Sequence, residues 1–145
     1  MEMEDAVWQD WGHFPHEGDV GIRGYGTPLA RAFENAARAM VAVVVPLEMI
    51  RPEKRVSVTC SAPDREILLI DWLNAIIYEM ARRRMLFGRF QVEITGDTLK
   101  GAMWGEATDP ARHEPAVELK GATLTELSLS QGTDGRWVAQ CVVDV

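Results

Sequence analysis

GYGTPLARAFENAARAMVAVVVP, residues 24–46, decides the fold class. Leu29, Phe33, Ala36, Ala37, Met40 and Val44 recur at three- and four-residue spacing, which lines one face of a helix with apolar side chains. Thr27 offers a hydroxyl for an N-cap, and Pro28 suits the first helical position, where a missing N–H costs no bond. Pro46 marks the end, and the β-branched run Val41, Val43, Val44, Val45 weakens the last turn.

After this helix, RPEKRVSVTC (51–60) alternates Val56 with Val58 as a short strand. SAPDREILLIDWLNAIIYEMARRRM (61–85) reads as a second helix. Asp64 is its N-cap, Glu66 stands in the first turn, and Leu69, Trp72, Leu73, Ile76, Ile77 and Met80 form a wide apolar face. Arg82, Arg83 and Arg84 crowd its last turn, where a solvated helix end outweighs an anion or RNA contact. FQVEIT and TLKGAMWG flank Gly96-Asp97, and VELKGATLTELSLSQ and GRWVAQCVVDV flank Thr133-Asp134-Gly135, two hairpin patterns. With one strand near residues 18–25, the order is strand, helix, strand, helix, four strands. The expected fold is therefore α+β, a mostly antiparallel sheet with two helices packed on one face. Residues 1–12 are expected as a flexible N-terminal segment and 13–145 as a single domain.

The chain has 145 residues, 47% of them hydrophobic, which suits one domain with its own core. Lysine and arginine number 15 against 22 aspartates and glutamates, a net charge of −7. That sign opposes a sequence-blind grip on phosphates, so no direct high-affinity nucleic-acid binding is expected, although local basic patches are compatible with it. The two cysteines, Cys60 and Cys141, form neither a disulfide framework nor a CxxC motif, and read as buried reduced thiols. MEMEDAVWQDW lacks the basic and apolar regions of a signal peptide, and no apolar run reaches 18 residues. A cytoplasmic protein without membrane association is the expectation.

No GxSxG, P-loop, GxGxxG or HExxH motif is present. WGHFPHEGDVGIRGYG (11–26) puts Asp19 before Val20 and Ile22, at the mouth of an apolar strand. A carboxylate there is solvated, paired or metal-bound, because an isolated buried one is costly; a turn aspartate capping its own backbone is the blander alternative. Asp144 sits one residue before Val145, and two neighbouring carboxylates at a strand end attract a cation. Hard oxygen ligands suit Ca²⁺, Mg²⁺ or Mn²⁺ better than Zn²⁺. A frayed, solvated terminus is the competing reading. His13 and His16 make a weak HxxH zinc pattern, and His113, between two prolines, reads as loop polar surface. The five tryptophans read as core or edge packing.

Five ordered blocks, HEGDVGIRGYG (16–26), AFENAARAM (32–40), LLIDWLNAIIYE (68–79), PARHEPAVELKGAT (110–123) and WVAQCVVDV (137–145), resemble the archease family over nearly the whole chain. The resemblance implies a small acidic α+β protein that is not itself an enzyme. It would activate the tRNA-splicing RNA ligase, promoting guanylylation of that enzyme and repeated turnover. It further implies a divalent-cation site, calcium first with magnesium or manganese as alternatives. The family's ligands fall on Asp19, Asp144 and the terminal carboxylate of Val145, and further functional positions fall on His16, His113 and Lys120. Thr123, Leu124 and Thr125 stand where many members have Thr-Tyr-His, and Glu17-Gly18 where Thr-Ala is common. Two other classes compete: a general chaperone or protein-binding module, which predicts a large exposed apolar patch, and a metal-dependent hydrolase. The sequence permits a dimer without requiring one.

Overall fold

A computed structural model describes residues 9–145. The expected flexible segment falls mostly on residues outside that range, but Trp11 and Gly12 belong to a strand. Among the described residues eight strands form: β1 (Trp11–His16), β2 (Asp19–Gly26), β3 (Lys54–Ser61), β4 (Met85–Thr95), β5 (Thr98–Ala107), β6 (Gly121–Ala122), β7 (Ser128–Gln131) and β8 (Trp137–Asp144). Between them lie α1 (Leu29–Ala42), α2 (Arg65–Arg83) and the single-turn α3 (Pro110–His113), with a 3-10 turn at Leu47–Met49.

The α+β class holds, but the single expected sheet is two. One contains β1-β2-β8-β6 with β7 also paired to β8, and the other runs β3-β5-β4, all pairs being antiparallel. Both long helices pack against both sheets. Gly24 of β2 has no room for a side chain: a Cβ would lie 2.1 Å from the Ala36 nitrogen of α1. Trp72 of α2 fills the hollow over Gly101 of β5, meets Phe90 of β4 edge-on, and donates its indole N–H to the Phe33 carbonyl of α1 at 3.1 Å. One apolar cluster thereby joins both sheets and both helices.

The apolar stripe of α1 is buried as its spacing predicts. Its start differs: the helix begins at Leu29 with Pro28 in the cap position and no side-chain cap. The Thr27 hydroxyl donates instead to the Gly135 carbonyl in the β7–β8 turn, tying the helix entrance to a distant hairpin. Asp64 does cap α2, accepting from the N–H groups of Glu66 and Ile67. Arg82 and Arg83 pair with Glu79 on an exposed helix end. The single strand expected near 18–25 is a hairpin, β1–β2, turning through Glu17 and Gly18 at φ of 44° and 87°. The long strand expected over 117–131 is interrupted. Thr123 accepts the role of a break, its hydroxyl bonding the Val142 carbonyl, and Glu126 adopts φ of 54°. Cys141 is buried as expected, with its thiol pushed up to about 12 by burial, whereas Cys60 is only half-buried.

Candidate metal centre

The register of three strands brings the predicted acids together. His16 of β1 stands opposite Asp19 of β2. Val20 stands opposite Val143 of β8, so one step further Asp19 faces Asp144. Directly opposed residues of an antiparallel pair point to the same face. Ile22, Cys141 and Val143 face the core, and Phe14 covers Gly21 on the other side, which makes the face of Asp19 and Asp144 the outer one. Asp144 is exposed and Asp19 half-buried.

The Asp19 carboxylate does not cap its own turn. Oδ1 accepts from the Val145 N–H at 3.3 Å, across 126 residues of chain. The Lys120 N–H donates to the Asp144 carbonyl at 2.9 Å, holding the other side of the strand end. Asp19, Asp144, Val145 and the backbone of Lys120 therefore meet at one corner of the sheet. Asn74 of α2 steadies that corner from within, accepting from the Ala122 N–H at 2.9 Å and donating to the same residue's carbonyl at 3.3 Å. No sequence signal marked Asn74.

Among the described residues no three His, Cys, Asp or Glu side chains converge enough to hold a metal ion. Asp19 and Asp144 bring carboxylate oxygens to this corner, ligands of the kind hard cations take. His16 extends the row without completing a side-chain triad. His13 and His16 lie three apart in a strand, hence on opposite faces, and the His13 Nε2 sits 2.7 Å from the Ala39 carbonyl of α1. The HxxH zinc pattern is not assembled.

His113 stands elsewhere and is buried, contrary to the surface loop expected of it. Asp109 caps α3 and Pro110 opens it, so the histidine ends a helical turn. Its Nδ1 accepts from the Asp109 N–H at 2.9 Å, which leaves the Nε2 proton facing Glu106 Oε2, also at 2.9 Å. Glu106 further pairs with Arg112 and accepts from the Arg51 N–H at 2.9 Å. The Arg112 hydrogen bond, with help from Arg51 and His113, holds the Glu106 carboxyl down at about 2 against the effect of burial. This network locks the 3-10 turn, β5 and α3 together.

A depressed folded pKa contributes stability that is present above the usual carboxyl value and lost as pH falls towards the folded one. Urea midpoints of the wild type should therefore drop between about pH 4.5 and about pH 2. Glu106→Gln should be less stable at pH 7 and lose less across that acid window; parallel curves for the two proteins would exclude the network as a source of acid sensitivity.

The Archease protein family model matches residues 11–145, nearly all of the chain. The chain belongs to the archease family. The Protein archease of Pyrococcus furiosus is 36% identical over 141 residues, covering 94% of this chain and 99% of the relative. That of Methanosarcina mazei is 34% identical over 138 residues, covering 92% and 94%. Among solved structures, Protein 1598 of Methanobacterium thermoautotrophicum superposes with a TM-score of 0.77 at 25% identity, covering 94% of this chain and 99% of that one. A Thermotoga maritima structure, described as an archease and possible chaperone, superposes at 0.59 with 17% identity over 91% and 94%, which shows a shared fold. No helix among the described residues of this archease is long and apolar enough to cross a membrane.

Proposed function

We propose that this archease is a non-catalytic activator of the tRNA-splicing RNA ligase, promoting its guanylylation and multiple turnover. It would do so by holding a divalent cation, calcium before magnesium or manganese, at Asp19, Asp144 and the Val145 carboxylate. The observation that carries the reading is the corner itself. Two acids 125 positions apart in sequence share one sheet face, and one of them fixes the Val145 main chain.

A bound cation supplies positive charge that can meet a nucleotide phosphate. The residues of this chain do the rest. Asp19 and Asp144 offer the charge that retains the ion, and the hydrogen bond from Val145 N–H orients the chain end toward it. Lys120 anchors the strand behind Asp144, and His16 borders the row on its far side. His113 serves at a distance through Glu106, keeping the β5–α3 region in shape. On this reading the two acids hold the ion and do not attack a substrate. A net charge of −7 favours encounter with a basic, phosphate-binding cleft, and the encounter should slow as salt is raised. The setting for such a role is the cytoplasm.

A general chaperone calls for an extended apolar surface. Only four large apolar side chains are exposed among the described residues, Met49, Ile67, Tyr78 and Leu124, which favours a specific partner over unfolded clients.

The test is covalent incorporation of labelled guanylate into a cognate ligase with GTP and divalent metal. Addition of this protein should raise the rate by about tenfold or more, a barrier change of at least about 1.4 kcal/mol. An unchanged rate with a ligase shown to be competent would overturn the proposal.

A further inference from the structure

The outer face of the β3-β5-β4 sheet carries charge of the opposite sign to the whole chain. Arg55, Trp104 and Arg89 lie side by side across its three strands, since Trp104 of β5 is the register partner of both arginines. The Arg89 guanidinium stands 4.9 Å from the centroid of the Trp104 ring and that of Arg55 5.7 Å. Among the described residues neither guanidinium enters an ion pair. Further along the same face Lys100 opposes Glu93 on one side and Thr59 on the other. Three cations thus stand against one acid here, in a chain of net charge −7.

A guanidinium resting on an aromatic ring is held in place while its N–H edges stay free for bidentate contact with phosphate oxygens. Beside this platform lies an open depression of about 460 Å³ whose lining includes Ser57, Thr59, Gln91 and Lys100. Its floor is low because Ala102, the register partner of Ser57 and Gln91, is small. Hydroxyl and amide groups of this kind bond sugar hydroxyls and exposed base edges. An open sheet face with a central aromatic side chain, flanking arginines and small polar neighbours is suited to a single strand. Its charged and polar centre suits it less to the apolar anchors of a peptide.

We propose that this face, centred on Arg55, Trp104 and Arg89, is a contact surface for single-stranded RNA. The contact is weak and salt-sensitive: two phosphate-binding arginines support an affinity of about 10⁻⁴–10⁻⁶ M at physiological salt. It therefore agrees with the absence of high-affinity binding expected from the overall charge. It stands independently of the ligase reading, because it lies on the other sheet from Asp19 and Asp144 and needs neither the cation nor the enzyme.

The experiment is fluorescence anisotropy of an end-labelled single-stranded RNA of about 12 nucleotides, within the range one such surface spans. The full chain would be compared with Arg55→Gln/Arg89→Gln and with Arg82→Gln/Arg83→Gln on the exposed end of α2, at several salt concentrations. Both arginines of the platform are exposed, so the first variant should fold, and its circular dichroism spectrum checks this. Its binding should weaken about tenfold. Its plot of log affinity against log salt should flatten by about 1.4, the release expected from two phosphate contacts on a single strand. The α2 variant should bind like the wild type. No saturable binding by the wild type, unchanged binding by the platform variant, or loss of binding in the α2 variant instead would overturn the proposal. Poly-aspartate of matched charge that competes as well as unlabelled RNA would also overturn it, by making the surface one for acidic protein.

Discussion

Trp72→Ala is expected to destabilise the fold by about 3–5 kcal/mol, the range for removing a fully buried large aromatic. Trp72 has no exposed surface and touches three elements at once: Gly101 of β5 beneath its ring, Phe90 of β4 at its edge and the Phe33 carbonyl at its nitrogen. Against a typical total of about 5–15 kcal/mol, that loss removes a large part of the margin. Urea unfolding at pH 7 measures it directly. The same geometry predicts a reversal of sign at Gly101. In the wild type a Cβ there would lie 2.3 Å from the Trp72 ring, so Gly101→Ala should be destabilising. In the Trp72→Ala background the added methyl enters a cavity, and the same substitution should cost much less or gain. Additive effects of the two substitutions would show that the hollow over Gly101 is not what receives Trp72.

The second large effect concerns the acidic corner. Calcium at about a hundred times its dissociation constant should stabilise the wild type by about 2.7 kcal/mol. For a chain of this length that amounts to a rise in melting temperature of about 5–11 °C. Asp19→Asn and Asp144→Asn should each abolish most of that rise. Asparagine is the informative replacement at 19, since its side-chain oxygen still accepts from the Val145 N–H while the charge is gone. Without metal, both variants should melt at or slightly above the wild type, because removing one of two neighbouring negative charges relieves repulsion. A calcium shift equal in all three proteins would place the ion elsewhere.

Much of this architecture is legible in local pattern. The stripe from Leu29 to Met40, the Asp64 cap and the Gly96-Asp97 hairpin are each written within a few consecutive residues, and each formed where its pattern placed it, although the helix ends at Ala42, short of Val44 and Pro46. The first hairpin was harder. Pro15 and two histidines break the alternation in β1, and Glu17-Gly18 lacks the Asn-Gly or Asp-Gly signature of a two-residue turn. Pro15 is tolerated because β1 is the edge of its sheet. The division into two sheets was not legible, since it depends on β2 pairing with β8 more than a hundred residues later.

The candidate site divides along the same line. Asp19 and Asp144 each stand out as acids at the ends of apolar strands, but their meeting is a non-local fact that only the register supplies. His113 went the other way. Asp109-Pro110 is a helix start that local reading could have recognised, and it turns the histidine inward onto Glu106. Asn74 carries no signal at all, because an asparagine on a helix surface looks solvated until a strand backbone arrives beside it. The pairing of Arg55 and Arg89 on Trp104 was equally hidden, as it requires β3 and β4 to flank β5 in one register.

The most direct test of the central claim is multiple-turnover RNA ligation by a cognate ligase with GTP and divalent metal, with no addition, with the wild type, and with Asp19→Asn. The wild type should raise turnover well above a single round. Asp19→Asn should leave the ligase near its unassisted level although, without metal, it melts at or slightly above the wild type. Full acceleration by a folded Asp19→Asn protein would contradict the account by separating activation from the acidic corner.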